Sequence, residues 1–329
     1  MKIRTFPLPR LPVPAHQNVL RTLSIHELFG YSLLSKKCKM LIKSLKMVTT
    51  TAYVRIRTYI SVLVTVRGSL QTLKFRFWPE SHSVTLSLNF QPFEEFTKND
   101  YDAKDYLQHV LSIFEFPKSG ILYCFEEGSH YLDIDFLKET LGQKINASLV
   151  KHSGNFEFNK TIFREFVFRK VTLWTACFEE NRIPPWILIQ NFDRISVYRK
   201  ALSFRIYSDD LTLMNSRIIQ LRFFLITDIQ LNRFIKMWQR GSNPHLEYIS
   251  VRRQNNDGRN SRMIMNGIKY QKVPDEHVRR FQSVGCKGDL HGGLDFFRFD
   301  GTKATVEMRC NNNMFIFKMY VWWDHCIVN

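Results

Sequence analysis

Cysteine pairs and metal-ligand spacings are missing from this sequence of 329 residues. No Cys-x-x-Cys pair occurs, and His26-Glu27 is not followed by the second histidine of a zinc-protease helix. The cysteines stand singly, which argues against a disulfide-rich secreted domain and favours a reducing compartment. We therefore expect no metal, no cofactor and no catalytic nucleophile. The six cysteines are Cys38, Cys124, Cys177, Cys286, Cys310 and Cys326.

Long apolar runs are also missing. The longest, at residues 59–66 and 218–226, fall far short of the ~20 residues that a membrane span needs. The apolar stretch after Met1 is broken by prolines, so we expect no secretory signal. Glycine and proline are sparse at 14 and 11 residues, whereas 44% of residues are hydrophobic, so the chain can bury a core. These features predict a folded protein of the cytoplasm or nucleus with no membrane partner.

Acidic residues are scarce at the N-terminal end. Residues 1–60 hold eleven Lys or Arg and a single acid, Glu27, and the whole chain carries +17. Such a segment suits an acidic protein, a nucleic acid or an anionic membrane, and net charge alone cannot choose among them.

Three short helices are predicted before residue 50. Residues 6–14 are rich in proline and should be extended, so the first helix is expected only after them. Ser24 and Glu27 have the spacing of a capping box that begins a second helix. In residues 35–46, apolar side chains recur at helical spacing between lysines, which predicts a third helix.

The hydrophobic period changes from 3.6 to 2 near residue 52, which predicts antiparallel strands and a domain boundary at about residue 50. From residue 101, helical stretches alternate with short strands spaced by roughly 22 to 30 residues, as in leucine-rich repeats. We therefore predict a degenerate α/β solenoid over about 101–253. Its strands are placed at residues 121–125, 147–151, 171–175, 194–198, 217–222 and 247–252.

The last repeat and the C-terminal region carry clear local signals. Thr227 and Gln230 form another capping box, and Gly241 can supply a left-handed C-cap. Residues 254–260 and the glycine-rich residues 285–293 are predicted to be loops. Asp300-Gly301 suits a type I′ hairpin turn within a β-meander over about 294–323. Asp133 and Asp135 are interpreted as the start of a helix rather than an acid–base pair.

Several segments resemble a known family. Residues 11–37 line up without a gap on the F-box pattern through Leu-Pro, a series of leucines and Ser-Lys-Lys. Downstream, the segments DLTLMNSRIIQL, LNRFIKMWQRGSNPHLEYISV, DGTKATVEM and MYVW are similar to the type 2 F-box-associated domain of the large nematode F-box family. The resemblance spans nearly the whole chain.

The resemblance implies an N-terminal three-helix F-box over residues 1–50 that binds a Skp-type adaptor, and through it a cullin and a RING subunit. It also implies that residues 51–329 select the protein to be ubiquitinated, so the chain would be a non-catalytic ligase subunit. A helical module of under ~40 residues is marginal alone and should expose apolar side chains to a partner. The sequence departs from the family pattern at Pro14, His16 and Cys38. The predicted adaptor-binding residues are Leu11, Pro12, Val19, Leu20, Leu23, Leu28, Leu33 and Leu34.

Two other interpretations stay open. A basic solenoid groove could bind nucleic acid, although the alternating aromatic residues in 75–78 and 321–323 are better explained as strand cores. The other interpretation is an interaction scaffold whose F-box no longer functions. Separately, the PxxP segment of residues 9–12 could bind an SH3-type partner. The sequence names neither the target nor the surface that binds it, nor the oligomeric state.

Overall fold

In the computed structural model, the chain forms two compact units, Met1–Gln143 and Lys144–Asn329. It describes residues 11–68, 71–117, 120–174, 177–179, 182–198, 206–222, 226–254, 263–283, 286–311 and 314–328. This division falls at a different place from the boundary expected near residue 50. The assignment of adaptor binding to residues 1–50 and of target binding to residues 51–329 therefore stays a prediction.

The first unit contains three N-terminal helices, a β-sheet and two further helices. Its elements are α1 (Val13–Leu20), α2 (Ile25–Leu33), α3 (Lys36–Ser44), β1 (Met47–Ile56), β2 (Ile60–Val66), β3 (Thr72–Phe77), β4 (Ser83–Leu88), β5 (Gln91–Thr97), α4 (Ala103–Ile113), β6 (Phe114–Glu115), β7 (Leu122–Phe125) and α5 (Ile134–Leu141).

The starts of these helices follow mostly from their capping residues. At α2 the backbone N–H of Ser24 donates to Glu27 at 2.8 Å, so the predicted capping box is confirmed. Asp133 accepts hydrogen bonds from the first turn of α5, as expected. The extended segment predicted to reach Pro14 was too long, because α1 begins at Val13. Proline is tolerated in a first helical turn, where its missing N–H has no intrahelical partner.

The strands of the first unit form a mostly antiparallel sheet, with parallel pairing only on one side of β1. Strands β1 to β5 pair antiparallel in chain order, and β1 also pairs in parallel with β6 and β7. The change from helical to alternating periodicity near residue 52 is thus confirmed.

The second unit contains alternating strands and helices followed by long antiparallel strands. Its elements are β8 (Lys144–Val150), α6 (Phe156–Glu165), β9 (Val167–Trp174), α7 (Pro185–Leu188), β10 (Arg194–Tyr198), α8 (Ser208–Leu213), β11 (Ile218–Arg222), α9 (Asp228–Gln239), β12 (Tyr248–Gln254), β13 (Gln271–Ser283), β14 (Cys286–Phe297), β15 (Lys303–Asn311), β16 (Met314–Val321) and β17 (Ile327–Val328).

Strands β8 to β12 pair in parallel in chain order. The six strands predicted between residues 121 and 252 are all found, although the first of them is β7 of the other unit. Alternate residues such as Leu173, Val197 and Leu221 are almost fully buried and contribute to the core. The chain is therefore mixed α/β with a helical N-terminal region and a large amount of sheet. The likeness to a leucine-rich-repeat solenoid stays a prediction.

Helix α9 has the caps that the sequence predicts. Thr227 and Gln230 form the capping box, with the Gln230 N–H donating to Thr227 Oγ1 at 3.2 Å. Gly241 follows the helix with φ 108°, as a left-handed cap requires. The Trp238 ring of α9 meets Phe296 of β14 edge to face with centroids 5.7 Å apart.

The predicted C-terminal β-meander is found, but the loop predicted for the glycine-rich residues was wrong. Strands β14, β15 and β16 pair antiparallel, and β16 pairs with β12. The glycine-rich residues 286–293 belong to β14 rather than to a loop. Gly292 and Gly293 lie at a bulge, where a Cβ on Gly292 would come within 2.9 Å of the Val273 carbonyl oxygen. Of the predicted loop at 254–260, Gln254 belongs to β12 and the rest lies outside the described residues.

The turn at Asp300-Gly301 is not type I′. That turn needs positive φ at both central residues, and only Gly301 has it, at 86°. The loop is longer than two residues because β14 ends at Phe297 and β15 begins at Lys303. Within the described residues, no helix is both long and apolar enough to cross a membrane.

Candidate functional site

The predicted adaptor-binding residues divide into two groups by burial. Leu20, Leu28 and Leu33 are buried within the chain and form part of its core. The remaining five keep part of their surface in solvent, so they are the ones that a partner can reach directly without rearrangement. These five are Leu11, Pro12, Val19, Leu23 and Leu34.

Each of the three N-terminal helices contributes a large exposed apolar side chain. Val19 of α1 is 37% exposed, while Leu34 at the end of α2 and Met40 of α3 are each 72% exposed. We call Val19, Leu34 and Met40, with Leu11, Pro12 and Leu23, the apolar surface. A contiguous patch of such side chains is typical of a protein-binding surface, whereas single exposed apolar residues occur on most proteins.

Two departures from the family pattern meet around one tyrosine. The Tyr31 hydroxyl lies 2.9 Å from His16 Nε2, and the two rings pack edge to face with centroids 5.8 Å apart. Burial and a hydrogen bond with Cys38 raise the pKa of Tyr31 to about 12. His16 of α1 and Cys38 of α3 therefore both contact α2, so the unusual residues hold the three helices together.

A buried histidine ties α2 to α4. The Ser32 hydroxyl donates to the Phe29 carbonyl oxygen at 2.6 Å, so it must accept from His109 Nε2, which lies 2.7 Å away. His109 Nδ1 can then accept from the Tyr101 hydroxyl at 3.2 Å. Burial lowers the pKa of His109 to about 3, with smaller contributions from Lys39 and Lys98. The neutral imidazole is thus a structural link in the support of α2.

A second surface lies in the other unit, at the carboxyl ends of the parallel strands. The register places Trp174 beside Tyr198, Tyr198 beside Arg222, and Arg222 beside Arg252. Lys151 follows the last residue of β8, and its Nζ lies 5.0 Å from the centre of the Trp174 ring. We call Lys151, Trp174, Tyr198, Arg222 and Arg252 the terminal row.

The terminal row points away from the core. Leu173, Val197, Leu221 and Val251 each come one residue before a member of the row and are almost fully buried. Since successive side chains of a strand point to opposite faces, the row lies on the other face of the sheet. Its first four members are partly exposed and Arg252 is exposed.

The rest of this face is polar or covered. Two residues before each strand member of the terminal row, the same face carries a row of polar residues. This row continues onto β16 and β15, because Ser250 lies opposite Lys318 and Lys318 lies opposite Glu307. On the parallel strands its members are Thr172, Ser196, Gln220 and Ser250. Further toward the amino ends, the face is closed by a buried cluster packed around Phe281. That cluster contains Ile218, Tyr248, Phe281, Leu290, Tyr320, Trp322 and Cys326.

Basic residues outnumber acids in the three register rows that contain Arg222, Gln220 and Ile218, followed from β8 or β9 as far as β15. We call these three rows the basic face, and they contain seven Lys or Arg and one acid, the buried Glu307. Glu307 lies 2.9 Å from Lys318 Nζ, pairs with Arg309 and accepts from the Tyr320 hydroxyl at 3.1 Å. The basic residues are Lys151, Lys170, Arg194, Arg222, Arg252, Arg309 and Lys318.

One group of potential metal ligands occurs in the described residues, at Glu247, His325 and Cys326. Glu247 already accepts from Arg217, from His325 at 2.9 Å and from Ser283. Although burial acts to raise the pKa of Glu247, these hydrogen bonds lower it. Burial raises the pKa of Cys326 to about 12, which keeps its thiol protonated. The arrangement is that of a buried ion-pair network and carries no argument for a metal.

Comparison with known families identifies two segments. Residues 8–49 match the F-box domain, and residues 183–251 match the F-box associated family. An F-box domain and an F-box associated domain are both found in this chain. No curated protein matches the chain, and no solved structure does.

The two matched segments contain much of the two surfaces. The F-box match covers α1, α2, α3 and the exposed apolar residues on them. The F-box associated match covers β10 and β11, with Tyr198 and Arg222 of the terminal row, and ends one residue before Arg252.

Sequence reasoning missed Met40 and the whole terminal row. A methionine between lysines on the polar side of α3 was the signal for Met40. For the terminal row, the signal was that the predicted strands end at or beside lysine, tryptophan, tyrosine and arginine. Aligning the strands by their ends would have brought these residues together.

Proposed function

We propose that this chain is the substrate-receptor subunit of an SCF-type ubiquitin ligase. In this proposal, α1 to α3 bind a Skp-type adaptor, which links the chain to a cullin and a RING subunit. The F-box associated domain holds a target protein. F-box domains generally bind the Skp adaptor, and F-box proteins are generally non-catalytic members of such complexes. We also propose that the chain acts in the cytoplasm or nucleus.

The observation that carries the proposal is the apolar surface within the F-box match. A side chain of the size of leucine gains about 1.5–3 kcal/mol when it is fully removed from water, so several of them can supply a stable contact. The buried members Leu20, Leu28 and Leu33 support the helices that present this surface. Direct contact of these three with the adaptor stays a prediction.

The test is adaptor binding by the purified full chain. Replacing Leu11→Ala together with Pro12→Ala, or Leu34→Glu alone, should abolish co-purification with the adaptor. Leu34 is 72% exposed, so its replacement should leave the fold intact. A matched control is Ile229→Glu, at a residue 68% exposed in the other unit, which should bind normally. Unchanged binding by all F-box variants would show that the anchor assignment is wrong.

The positive charge of the basic face is the one observation that favours nucleic-acid binding as a second candidate function. Binding to nucleic acid that survives ~150 mM salt with a steep salt dependence would favour that function. Failure to bind the adaptor at micromolar protein would instead favour a scaffold with a non-functional F-box. A pull-down with the adaptor, followed by mass spectrometry of trapped partners, separates these outcomes from the ligase role.

A further inference from the structure

The terminal row contains two neighbouring arginines, Arg222 and Arg252, and no acidic residue. Arg222 and Arg252 lie side by side on neighbouring strands, and neither forms an ion pair with a described carboxylate. Like charges facing each other across a strand pair repel, which destabilises the row when it is empty. An anion bound between the two guanidinium groups would remove this repulsion.

Aromatic rings hold part of this charge in place. The Arg222 guanidinium lies 4.8 Å from the centre of the Tyr198 ring, and Lys151 lies over Trp174. A cation fixed over a ring loses less rotational freedom when it binds a ligand, so the row is partly organised before binding. Between the two cations, Trp174 and Tyr198 are neighbours and offer an apolar centre.

The dimensions of the row suit a short extended peptide. Five neighbouring strands span about 20 Å, since strands lie about 4.8 Å apart, and an extended chain of about six residues covers that length. Carboxylates match the two-pronged geometry of guanidinium groups. The ligand would carry acids near Arg222 and Arg252 and an apolar residue over the rings.

The same features disfavour a nucleic acid. One face of the Tyr198 ring and one of the Trp174 ring are taken by cations, which leaves less room for bases to stack. Glu307 pairs with Arg309 and Lys318, so the two neighbouring cations that the row offers to a ligand are Arg222 and Arg252. Nucleic-acid affinity at physiological salt depends on many phosphate contacts, which so short a row does not offer.

We propose that the terminal row binds an extended acidic segment of a protein target, in which acidic residues contact Arg222 and Arg252 and a neighbouring apolar residue contacts the rings. This inference rests on the proposed function only in that the ligand is a protein to be ubiquitinated. It assigns the target-binding surface to the carboxyl ends of β8 to β12.

The experiment measures binding of a fluorescent peptide to the purified full chain by anisotropy. The peptide contains two leucines flanked on each side by glutamates, and a second peptide has glutamines in place of the glutamates. We expect binding of the acidic peptide only. The double variant Arg222→Glu with Arg252→Glu should weaken it by roughly tenfold or more, because both attractive charges become repulsive.

The control variant is Lys272→Glu with Lys287→Glu, which changes the net charge equally at two exposed residues outside the row. It should alter the affinity by less than about twofold, as expected for distant screened charges. If circular dichroism shows that the row variant is unfolded, Arg222→Gln with Arg252→Gln replaces it and should still weaken binding. An equal loss in row and control variants would overturn the inference.

Two further outcomes would overturn it. One is a wild-type chain that fails to bind the acidic peptide, and the other is tighter binding of a single-stranded oligonucleotide of equal charge at physiological salt. Adaptor binding is measured on the same preparation. A chain that binds the adaptor but not the peptide contradicts this inference alone, whereas one that binds the peptide but not the adaptor contradicts the ligase role alone.

Discussion

The apolar surface and the terminal row differ in how they are built and in what they attract. The first consists of side chains on and beside three helices of eight or nine residues each, and the second takes one residue from each of β9 to β12 and the residue that follows β8. Burial of apolar area depends little on salt, whereas attraction between exposed charges is screened by it. One chain thus offers two surfaces that suit chemically different partners.

The largest effect that we expect is that of acid pH, which should weaken adaptor binding much more than peptide binding at the terminal row. The pKa of His109 is about 3 in the folded chain, whereas an unfolded histidine has a pKa of about 6.5. Between these values the unfolded state binds an additional proton, so stability falls as pH drops below about 6.5 and is unaffected above it. The free energy of unfolding should decrease by up to about 1.4 kcal/mol for each pH unit. Urea unfolding from pH 7.5 to pH 4.5 measures this slope.

The control for this prediction is His109→Gln, which does not titrate and keeps a donor for Ser32. Its stability should vary less with pH than that of the wild type, and adaptor binding should become less acid-sensitive. Binding of the acidic peptide to the terminal row should change little between pH 7.5 and pH 5.5, since arginine and glutamate stay charged there. Equal pH slopes for wild type and variant would contradict the structural role of His109.

A smaller effect is expected from a glycine in the middle of α2. In an ordinary helix interior, glycine to alanine stabilises by about 1 kcal/mol. A Cβ on Gly30 would lie 2.8 Å from the Phe96 ring, which itself packs against Phe29. We therefore expect Gly30→Ala to destabilise the chain by about 1–2 kcal/mol, because the ring must move.

Urea unfolding checks this prediction, with Gly288→Ala as the control, since nothing lies within 4 Å of a Cβ there. The Gly30 variant should weaken adaptor binding and leave peptide binding unchanged, which would show that the two surfaces are supported separately. A more stable Gly30→Ala protein would mean that α2 does not pack as closely on Phe96 as described.

Local features of the fold were predictable, and features that depend on register were not. The capping boxes at Ser24 and Thr227 and the strand periodicity depend on neighbouring residues, so sequence spacing reveals them. The terminal row depends on how strands more than twenty residues apart are aligned, which no single strand encodes.

Two other features could not be predicted from the sequence for similar reasons. The glycines of β14 were interpreted as a loop because a bulge and a flexible segment use the same residue. The F-box pattern of leucines includes both core and solvent-facing positions, and even the consecutive residues Leu33 and Leu34 differ in burial. Sequence therefore could not separate Leu20, which is buried, from Leu34, which is exposed.

The smallest expected effect is a gain of affinity at the basic face. Glu307 neutralises Lys318 and Arg309, so Glu307→Gln would leave both cations available to a ligand while keeping the size of the side chain. We expect the acidic peptide to bind roughly two- to fivefold tighter, which is about 0.4–1 kcal/mol. The control Glu276→Gln makes the same charge change at an exposed residue of β13 and should leave the affinity almost unchanged. If the Glu307 variant, shown to be folded, binds no tighter than this control, the cations beside the terminal row do not contribute to ligand binding, and the charged part of the site is confined to Arg222 and Arg252.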